Sequence, residues 1–215
     1  EMSPIGVINQ PIEANLNLQG EALRKQLVKQ GRPIPGIEVK IVDDEGRSLP
    51  WDGSAFGALK TRGPWVCSNY YKFYGGRSPS HSEDGWFDTG DVATIDSQGY
   101  VKITDRTKDV IKSGGEWISS IELENVAMSH PEINECAVIG MYHPKWEERP
   151  LLIVVSVNPN DELKHSILRW FDGKVAKWWI PEDLVFVSEL PFTATGKVSK
   201  LLLRENMVDY KFPGT

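Results

Sequence analysis

Three glycine-containing segments carry charged side chains that could contact a nucleotide. The first, GWFDTGD at residues 85–91, places Asp91 directly after a glycine. A carboxylate in this position can accept hydrogen bonds from both hydroxyls of a ribose. Aspartate after glycine is also common in turns that bind nothing, so this segment alone leaves both interpretations open.

The second segment, DRTKDVIKSGG at residues 105–115, alternates cations with other side chains and ends on two glycines. A glycine backbone can approach a phosphate or a thioester closely, because no side chain intervenes. A charged hairpin with one solvated face would contain the same residues. The segment is not a Walker-type phosphate loop, since no GxxxxGK[ST] motif occurs in the 215 residues.

The third segment, PFTATGKVSK at residues 191–200, places Lys197 after a glycine. A lysine on such a turn can bring a point charge to a phosphate or a carboxylate. An ordinary surface turn explains the segment equally well when it is considered alone.

The composition is that of an ordinary globular chain, with 40% hydrophobic and 25% charged residues. The net charge of −6 argues against binding nucleic acid through its phosphates. The longest apolar run, residues 151–157, is too short to span a membrane.

The two cysteines and four histidines show no metal-ligand spacing. We therefore expect no metal site made of protein side chains alone, and a reducing, cytoplasmic location.

The first half of the chain is rich in short strand-like runs separated by glycine, proline and other turn residues. The predicted strands are residues 37–42, 57–61, 66–71, 91–95 and 100–103. Their spacing predicts a small, mostly antiparallel β region.

The pattern changes in the second half. Residues 119–122, SSIE, match a capping box and predict the start of a helix. Further elements are predicted as an amphipathic helix at residues 163–175 and as strands at residues 135–141, 151–157 and 184–187. The resulting β-α-β-β-α-β order is typical of a compact α+β domain.

We therefore predict the α+β class with two domains, residues 1–105 and residues 106–215. The first is a small, mostly antiparallel β subdomain, and the second is a compact α+β lid. Their junction is polar and charged and contains no glycine- or serine-rich tether, which indicates a short hinge.

Taken together and in this order, the three segments resemble those of the adenylate-forming superfamily, which includes acyl-CoA synthetases, luciferases and nonribosomal adenylation domains. That family carries GWFxTGD, DRxKDxIKxGG and PxTxTGK segments in the same order. The opening EMSP resembles the end of the family's YGxTE segment. Residues 49–53, 62–66 and 176–181 are most similar to bacterial medium- and long-chain fatty acid CoA ligases.

The resemblance implies a two-step reaction with ATP, Mg²⁺ and CoA. A carboxylate attacks the α-phosphorus of ATP, and the thiol of CoA then attacks the acyl-adenylate and releases AMP. For the first step the family implies that Lys197 bridges the acid and the α-phosphate. Asp91 would hold the ribose hydroxyls, and Arg106 would contact the ribose or a phosphate. Glu1 corresponds to the glutamate that helps to hold Mg²⁺ near the phosphates.

For the second step the family rotates its C-terminal domain, with Lys108 at the hinge position. Rotation would withdraw Lys197 and bring Lys112, the second catalytic lysine, to the thioester site on the opposite face of the same domain. The residues implied to contact CoA are Gly114, Gly115, Glu116, Trp117 and Lys177.

The resemblance also implies that a large N-terminal portion with the acyl pocket precedes Glu1, and that the chain alone is inactive. It leaves open whether the acyl group passes to CoA or to a carrier protein, and whether the chain is a non-catalytic module that kept the scaffold. The expected partners are small-molecule substrates. A homodimer is kept open for the full-length enzyme.

Overall fold

The structure is a computed structural model that describes residues 2–71 and 80–214. The chain divides into two compact units, Glu1–Lys108 and Asp109–Thr215. The division falls directly after Lys108. The sequence analysis placed the boundary three residues earlier, between residues 105 and 106. The predicted combination of helices with mostly antiparallel sheets is confirmed.

The elements of the first unit are β1 (Val7–Ile8), α1 (Gly20–Leu27), β2 (Arg32–Pro33), β3 (Glu38–Val42), β4 (Phe56–Arg62), β5 (Phe87–Ile95) and β6 (Val101–Arg106). The unit is built on an antiparallel four-stranded sheet in the order β3-β4-β5-β6. A two-stranded β1-β2 ladder, α1 and a 3₁₀ turn at Glu13–Asn15 accompany it. Alternate residues of the sheet, Val39, Ile41, Ala93 and Ile95 among them, form the buried core of this unit.

The third strand of this sheet differs from the prediction in one informative way. The glycine of GWFDTGD was expected in a turn, with the strand beginning at Asp91. Strand β5 instead begins at Phe87 and runs through Gly90 to Ile95. In the ladder with β4, Ala58 pairs with Val92 but Lys60 pairs with Asp88. Strand β5 therefore has extra residues opposite Leu59, and they form a bulge. A bulge redirects a side chain without ending the strand.

A second prediction for the first unit is wrong. Residues 66–71 form no strand, and only an isolated bridge joins Val66 to Met2. The Val66 N–H instead donates to the Gly63 carbonyl within a turn, which removes it from any ladder. Val66 packs against the apolar core of the unit, whereas Tyr71 is exposed.

The second unit begins with a hairpin and continues with helices that alternate with a larger sheet. Its elements are β7 (Ile111–Ser113), β8 (Glu116–Ile118), α2 (Ser120–Met128), β9 (Glu135–His143), β10 (Glu147–Val155), α3 (Asp161–Trp170), a 3₁₀ helix (Lys177–Trp179), β11 (Asp183–Phe186) and α4 (Lys200–Asn206). The predicted β-α-β-β-α-β order is present, and the structure adds strand β8 and helix α4 to it. Both are seven residues or shorter and leave little periodic signal.

Two apolar clusters lie on the two faces of this sheet. β9 and β10 pair antiparallel along nine residues each, and β11 joins β10 in parallel. On β10, Leu152 and Val154 belong to a cluster with α2 and α3, whereas Leu151 and Ile153 belong to a cluster with α4 and the C-terminal tail. Because successive side chains of a strand point to opposite faces, one apolar run supplies both cores.

The helix boundaries test the capping signals. The Ser119 hydroxyl accepts a hydrogen bond from the Glu122 N–H at 3.2 Å, so the predicted start of α2 is correct. Helix α3 was expected to reach Val175 but ends at Trp170. The chain turns immediately afterwards, and Gly173 takes a φ of +72°, which a helix cannot accommodate. In the described part of the chain, no helix is long and apolar enough to cross a bilayer.

Replacing a buried leucine of α4 should destabilise the chain strongly. Leu203 is 2% exposed in the second apolar cluster, whereas Leu201 on the same helix is 62% exposed. We expect Leu203→Ala to lower the free energy of unfolding by about 2–5 kcal/mol, because it leaves a cavity. Leu201→Ala should change it by less than about 0.5 kcal/mol. Urea unfolding of both variants measures the difference, and equal losses would contradict the assignment of the buried face.

Candidate active site

In the first unit, two of the predicted residues form an ion pair beside a cavity. Arg106 Nη1 lies 3.0 Å from Asp91 Oδ1, at the position where β6 pairs with β5. Both side chains line a cavity of about 240 Å³. The Asp91 side chain is 19% exposed and that of Arg106 is 58% exposed, so the cation reaches into solvent. A carboxylate beside an exposed guanidinium can bind a polyol and a neighbouring phosphate at the same time.

The bulge in β5 fixes the direction of Asp91. Thr89 Oγ1 donates to the Leu59 carbonyl at 2.9 Å and accepts from the Asp91 N–H at 3.1 Å. Gly90 has a φ of +71°, which favours glycine, and its carbonyl accepts from the Thr107 N–H. The glycine of the motif, Gly90, is therefore required for backbone geometry, and this geometry orients Asp91 beside Arg106. Glu1, the predicted Mg²⁺ contact, lies outside the described residues.

In the second unit, Lys197 lies on a tight and exposed turn. The Thr193 N–H donates to the Lys197 carbonyl at 2.7 Å, and the Gly196 N–H donates to the Thr193 carbonyl at 2.9 Å. The Lys197 side chain is exposed and has no hydrogen-bond or ion-pair partner among the described residues of this unit. A hydrogen-bonded turn thus presents an exposed ammonium that a ligand can recruit.

A buried lysine anchors this turn to the rest of the unit. Lys200, the first residue of α4, donates to Ser120 Oγ at 2.6 Å and lies 2.7 Å from Glu124 Oε1. The same carboxylate oxygen accepts from the Val138 N–H at 2.9 Å. Because these contacts tie α4 to α2 and β9, the base of the turn with Lys197 is fixed on the domain core.

The second predicted lysine, Lys112, lies on the β7-β8 hairpin. Its N–H donates to Glu148 Oε2 at 2.9 Å, and its ammonium lies 5.0 Å from the centre of the Trp117 ring. Gly114 and Gly115 form the hairpin turn with φ values of +59° and +85°. A Cβ at Gly114 would lie 2.9 Å from Trp146, so this glycine also allows close packing. Lys112, on the β7-β8 hairpin, and Lys197, on the turn at residues 193–197, therefore lie on separate segments of one unit.

A second cavity, of about 490 Å³, opens beside the Lys112 hairpin. Its lining residues are Ser113, Gly114, Glu116, Trp146, Arg149, Trp178 and Glu182. Of the residues predicted to contact CoA, Gly114 and Glu116 line this cavity, Trp117 lies beside Lys112, and Lys177 is the exposed neighbour of Trp178. Trp146 and Trp178 are 41% and 57% exposed, so the cavity offers two aromatic surfaces to a ligand.

The sequence alone did not identify four of these lining residues. They are Trp146, Arg149, Trp178 and Glu182. Trp178 is followed directly in the chain by a second tryptophan, Trp179. Only Trp179 packs against the apolar core. Two adjacent tryptophans cannot easily both be buried, so an exposed aromatic side chain at Trp178 or Trp179 is the signal that could have indicated a binding surface.

Lys108, the predicted hinge residue, is exposed in a turn that follows β6 and ends the first unit. Among the described residues, no three His, Cys, Asp or Glu side chains gather as a metal site.

A buried acidic residue begins β11, directly after the cavity-lining residue Glu182. Asp183 follows Glu182 and is ion-paired with Lys164 Nζ at 2.6 Å, and it also accepts a hydrogen bond from the Tyr210 hydroxyl. Burial opposes ionisation, but the hydrogen bonds from Lys164, Tyr210 and the Leu184 N–H hold the pKa of Asp183 below its ordinary value. Burial and the hydrogen bond to this carboxylate raise the pKa of Tyr210.

Removing the charge of Asp183 should weaken the fold in a pH-dependent way. Its pKa is depressed in the folded state, so its contribution is complete above the unfolded value of 3.8 and is lost as pH falls through the folded value. We expect Asp183→Asn to lower the free energy of unfolding at neutral pH by roughly 1.5–3 kcal/mol. The difference from wild type should shrink below about pH 4. Urea unfolding across pH measures it, and a difference independent of pH would contradict this role.

Comparison with known proteins shows what the chain is similar to. Residues 122–197 match the family model "AMP-binding enzyme C-terminal domain". The chain is 51% identical over 209 residues to the 3-methylmercaptopropionyl-CoA ligase of Ruegeria lacuscaerulensis, covering 97% of this chain and 38% of that protein. It is 50% identical to the medium-chain-fatty-acid–CoA ligase of Ectopseudomonas oleovorans, with the same coverage. The ATP-bound crystal structure of MatB from Rhodopseudomonas palustris matches with a TM-score of 0.72 at 32% identity, over 86% of this chain and 37% of that chain.

The second unit therefore contains the C-terminal domain of an AMP-binding enzyme. The homologues of the chain are acyl-CoA ligases, and the chain corresponds to the C-terminal part of these adenylate-forming enzymes. It spans 38% of the length of these two curated relatives.

Proposed function

We propose that the complete protein is an ATP-dependent acyl-CoA ligase that acts on a carboxylic acid of the fatty acid class. The products are acyl-CoA, AMP and pyrophosphate. The observation that carries the proposal is the exposed ammonium of Lys197, held on a rigid turn at the end of the matched domain. Identities of 51% and 50% to two acyl-CoA ligases support the same reaction.

In the first half-reaction, an oxygen of the acid attacks the α-phosphorus of ATP and pyrophosphate leaves. Negative charge grows on the phosphate oxygens, so a cation that reaches them lowers the barrier. Lys197 supplies this charge between the carboxylate and the α-phosphate. Asp91 accepts hydrogen bonds from the ribose hydroxyls, and its partner Arg106 contacts the ribose or a phosphate.

In the second half-reaction, the sulfur of CoA attacks the acyl carbonyl and the acyl C–O bond to the AMP phosphate breaks. AMP leaves with that electron pair, and the thiol proton passes to solvent. The hairpin with Lys112 lies at the thioester site during this step, and the cavity beside the hairpin binds CoA. Gly114 and Gly115 allow the thiol arm to pass close to the backbone, beside Glu116 and Trp117. Lys177 contacts CoA at the exposed end of the cavity.

The two lysines act in turn if the second unit rotates between the steps. Lys108 is the proposed hinge, and its exposed turn at the end of the first unit supports this role. A hinge needs only a few residues that can change their backbone angles. Rotation would exchange the Lys197 turn for the Lys112 hairpin at the reacting carbonyl.

Mg²⁺ accompanies the ATP phosphates in this proposal, and Glu1 is its predicted contact. A cytoplasmic location is part of the same proposal, since ATP and CoA are both available there. A homodimer is one assembly of the complete enzyme that is compatible with it.

Removing the Lys197 ammonium should separate the two half-reactions. In the complete enzyme, we expect Lys197→Ala to slow adenylate formation by at least about 100-fold, because the transition-state charge loses its cation. Thioester formation from added acyl-adenylate should stay within about twofold. ATP–pyrophosphate exchange and acyl-CoA release measure the two steps, with the exposed Lys211→Ala as the matched control. Equal loss in both steps would contradict the separation.

Two alternatives give different results with the wild-type enzyme. An enzyme that serves a carrier protein would form the adenylate but no thioester when CoA is added. A non-catalytic module would release no pyrophosphate with any acid. A panel of carboxylic acids with ATP, tested with and without CoA, therefore distinguishes the proposed ligase from both.

A further inference from the structure

Arg149 is a buried cation in the wall of the second cavity. It lies on β10, its side chain is 10% exposed, and its Nε donates to Glu182 Oε2 at 2.9 Å. A charged group is stable in such a place only where acceptors surround it. The contacts of Arg149 therefore show which parts of the unit it holds together.

The acceptors come from two segments that are far apart in the sequence. Nη1 donates to Ser113 Oγ at 3.2 Å and to the Trp178 carbonyl at 2.6 Å. Nη2 donates to the Ile180 carbonyl at 3.1 Å. One guanidinium thus joins the Lys112 hairpin to residues 178–182, which together form much of the cavity wall.

The same hairpin is attached to the start of β10 by two further hydrogen bonds. The Gly114 N–H donates to the Trp146 carbonyl at 2.8 Å, and the Lys112 N–H donates to Glu148 Oε2. These bonds hold the hairpin against the start of β10. Arg149 adds a hydrogen-bonded connection from the hairpin residue Ser113 to Trp178, and both of these residues line the cavity.

We propose that Arg149 is a positioning residue for the thioester-forming step, an inference that rests on the proposed ligase function. By holding Ser113 and the carbonyls of Trp178 and Ile180, it keeps the Lys112 hairpin and the 178–182 segment at the separation that the thiol arm of CoA requires. It acts through these groups and takes no part in adenylate formation.

Lysine cannot replace arginine at this position. The planar guanidinium directs N–H groups along several fixed directions, whereas an ammonium donates from a single point. Arg149→Lys keeps the charge near Glu182, but it cannot also reach Ser113, Trp178 and Ile180. We therefore expect the cavity to lose its fixed shape while the fold remains.

The test uses the complete enzyme and measures the two half-reactions separately. We expect Arg149→Lys to raise the KM for CoA by about tenfold or more, since small displacements of a positioned group have large kinetic effects. ATP–pyrophosphate exchange should stay within about twofold of wild type. Arg169→Lys is the matched control, because Arg169 is exposed on α3. A merely structural role would lower both half-reactions together, which would overturn the inference.

A second variant decides the matter if Arg149→Lys does not fold. Ser113→Ala removes one acceptor of Arg149 and should raise the KM for CoA by about threefold, with pyrophosphate exchange unchanged. An unchanged KM in Ser113→Ala, or in a folded Arg149→Lys, would overturn the inference alone. A wild-type enzyme that forms no acyl-CoA would instead overturn the proposed function, and this inference with it.

Discussion

The second unit depends on one strand pair that is buried on both faces. β9 and β10 pair along nine residues each, and alternate side chains of β10 enter two separate apolar clusters. A slip of one residue would exchange the two sets of side chains, so the register is strongly fixed. The Lys112 hairpin is hydrogen-bonded to the start of β10, and the Lys197 turn is held through α4 on one of the clusters. A single rigid pair therefore carries both candidate catalytic lysines.

The charges of this unit fall into two groups. Arg149, Lys164 and Lys200 are largely buried and paired with Glu182, Asp183 and Glu124. Their partners hold segments together, since a buried charge must stay with its acceptors. Lys197 is exposed on a rigid turn and keeps its ammonium available. The paired cations thus hold segments of the domain together, whereas the exposed Lys197 is the cation proposed to act in the reaction.

Local patterns in the sequence predicted most of the fold. The capping box gave the start of α2, and apolar runs gave β9, β10 and β11 to within a few residues. The bulge at Gly90 was missed because it depends on the pairing of β5 with β4, which one segment does not reveal. The residues of the site were harder to predict from the sequence. Arg149 lies in an unremarkable EERP run, and its acceptors come from distant segments. The roles of Asp91 and Lys197 came from the family resemblance, because each motif alone also fits an ordinary turn.

Lys112, on the β7-β8 hairpin, and Lys197, on the turn at residues 193–197, are proposed to serve the two half-reactions. The most direct test is Lys112→Ala in the complete enzyme, with single-turnover thioester formation started from the acyl-adenylate. We predict that thioester formation slows by about tenfold or more, while adenylate formation stays within about twofold of wild type. A variant that loses adenylate formation equally, or that forms the thioester at the wild-type rate, would contradict the claim.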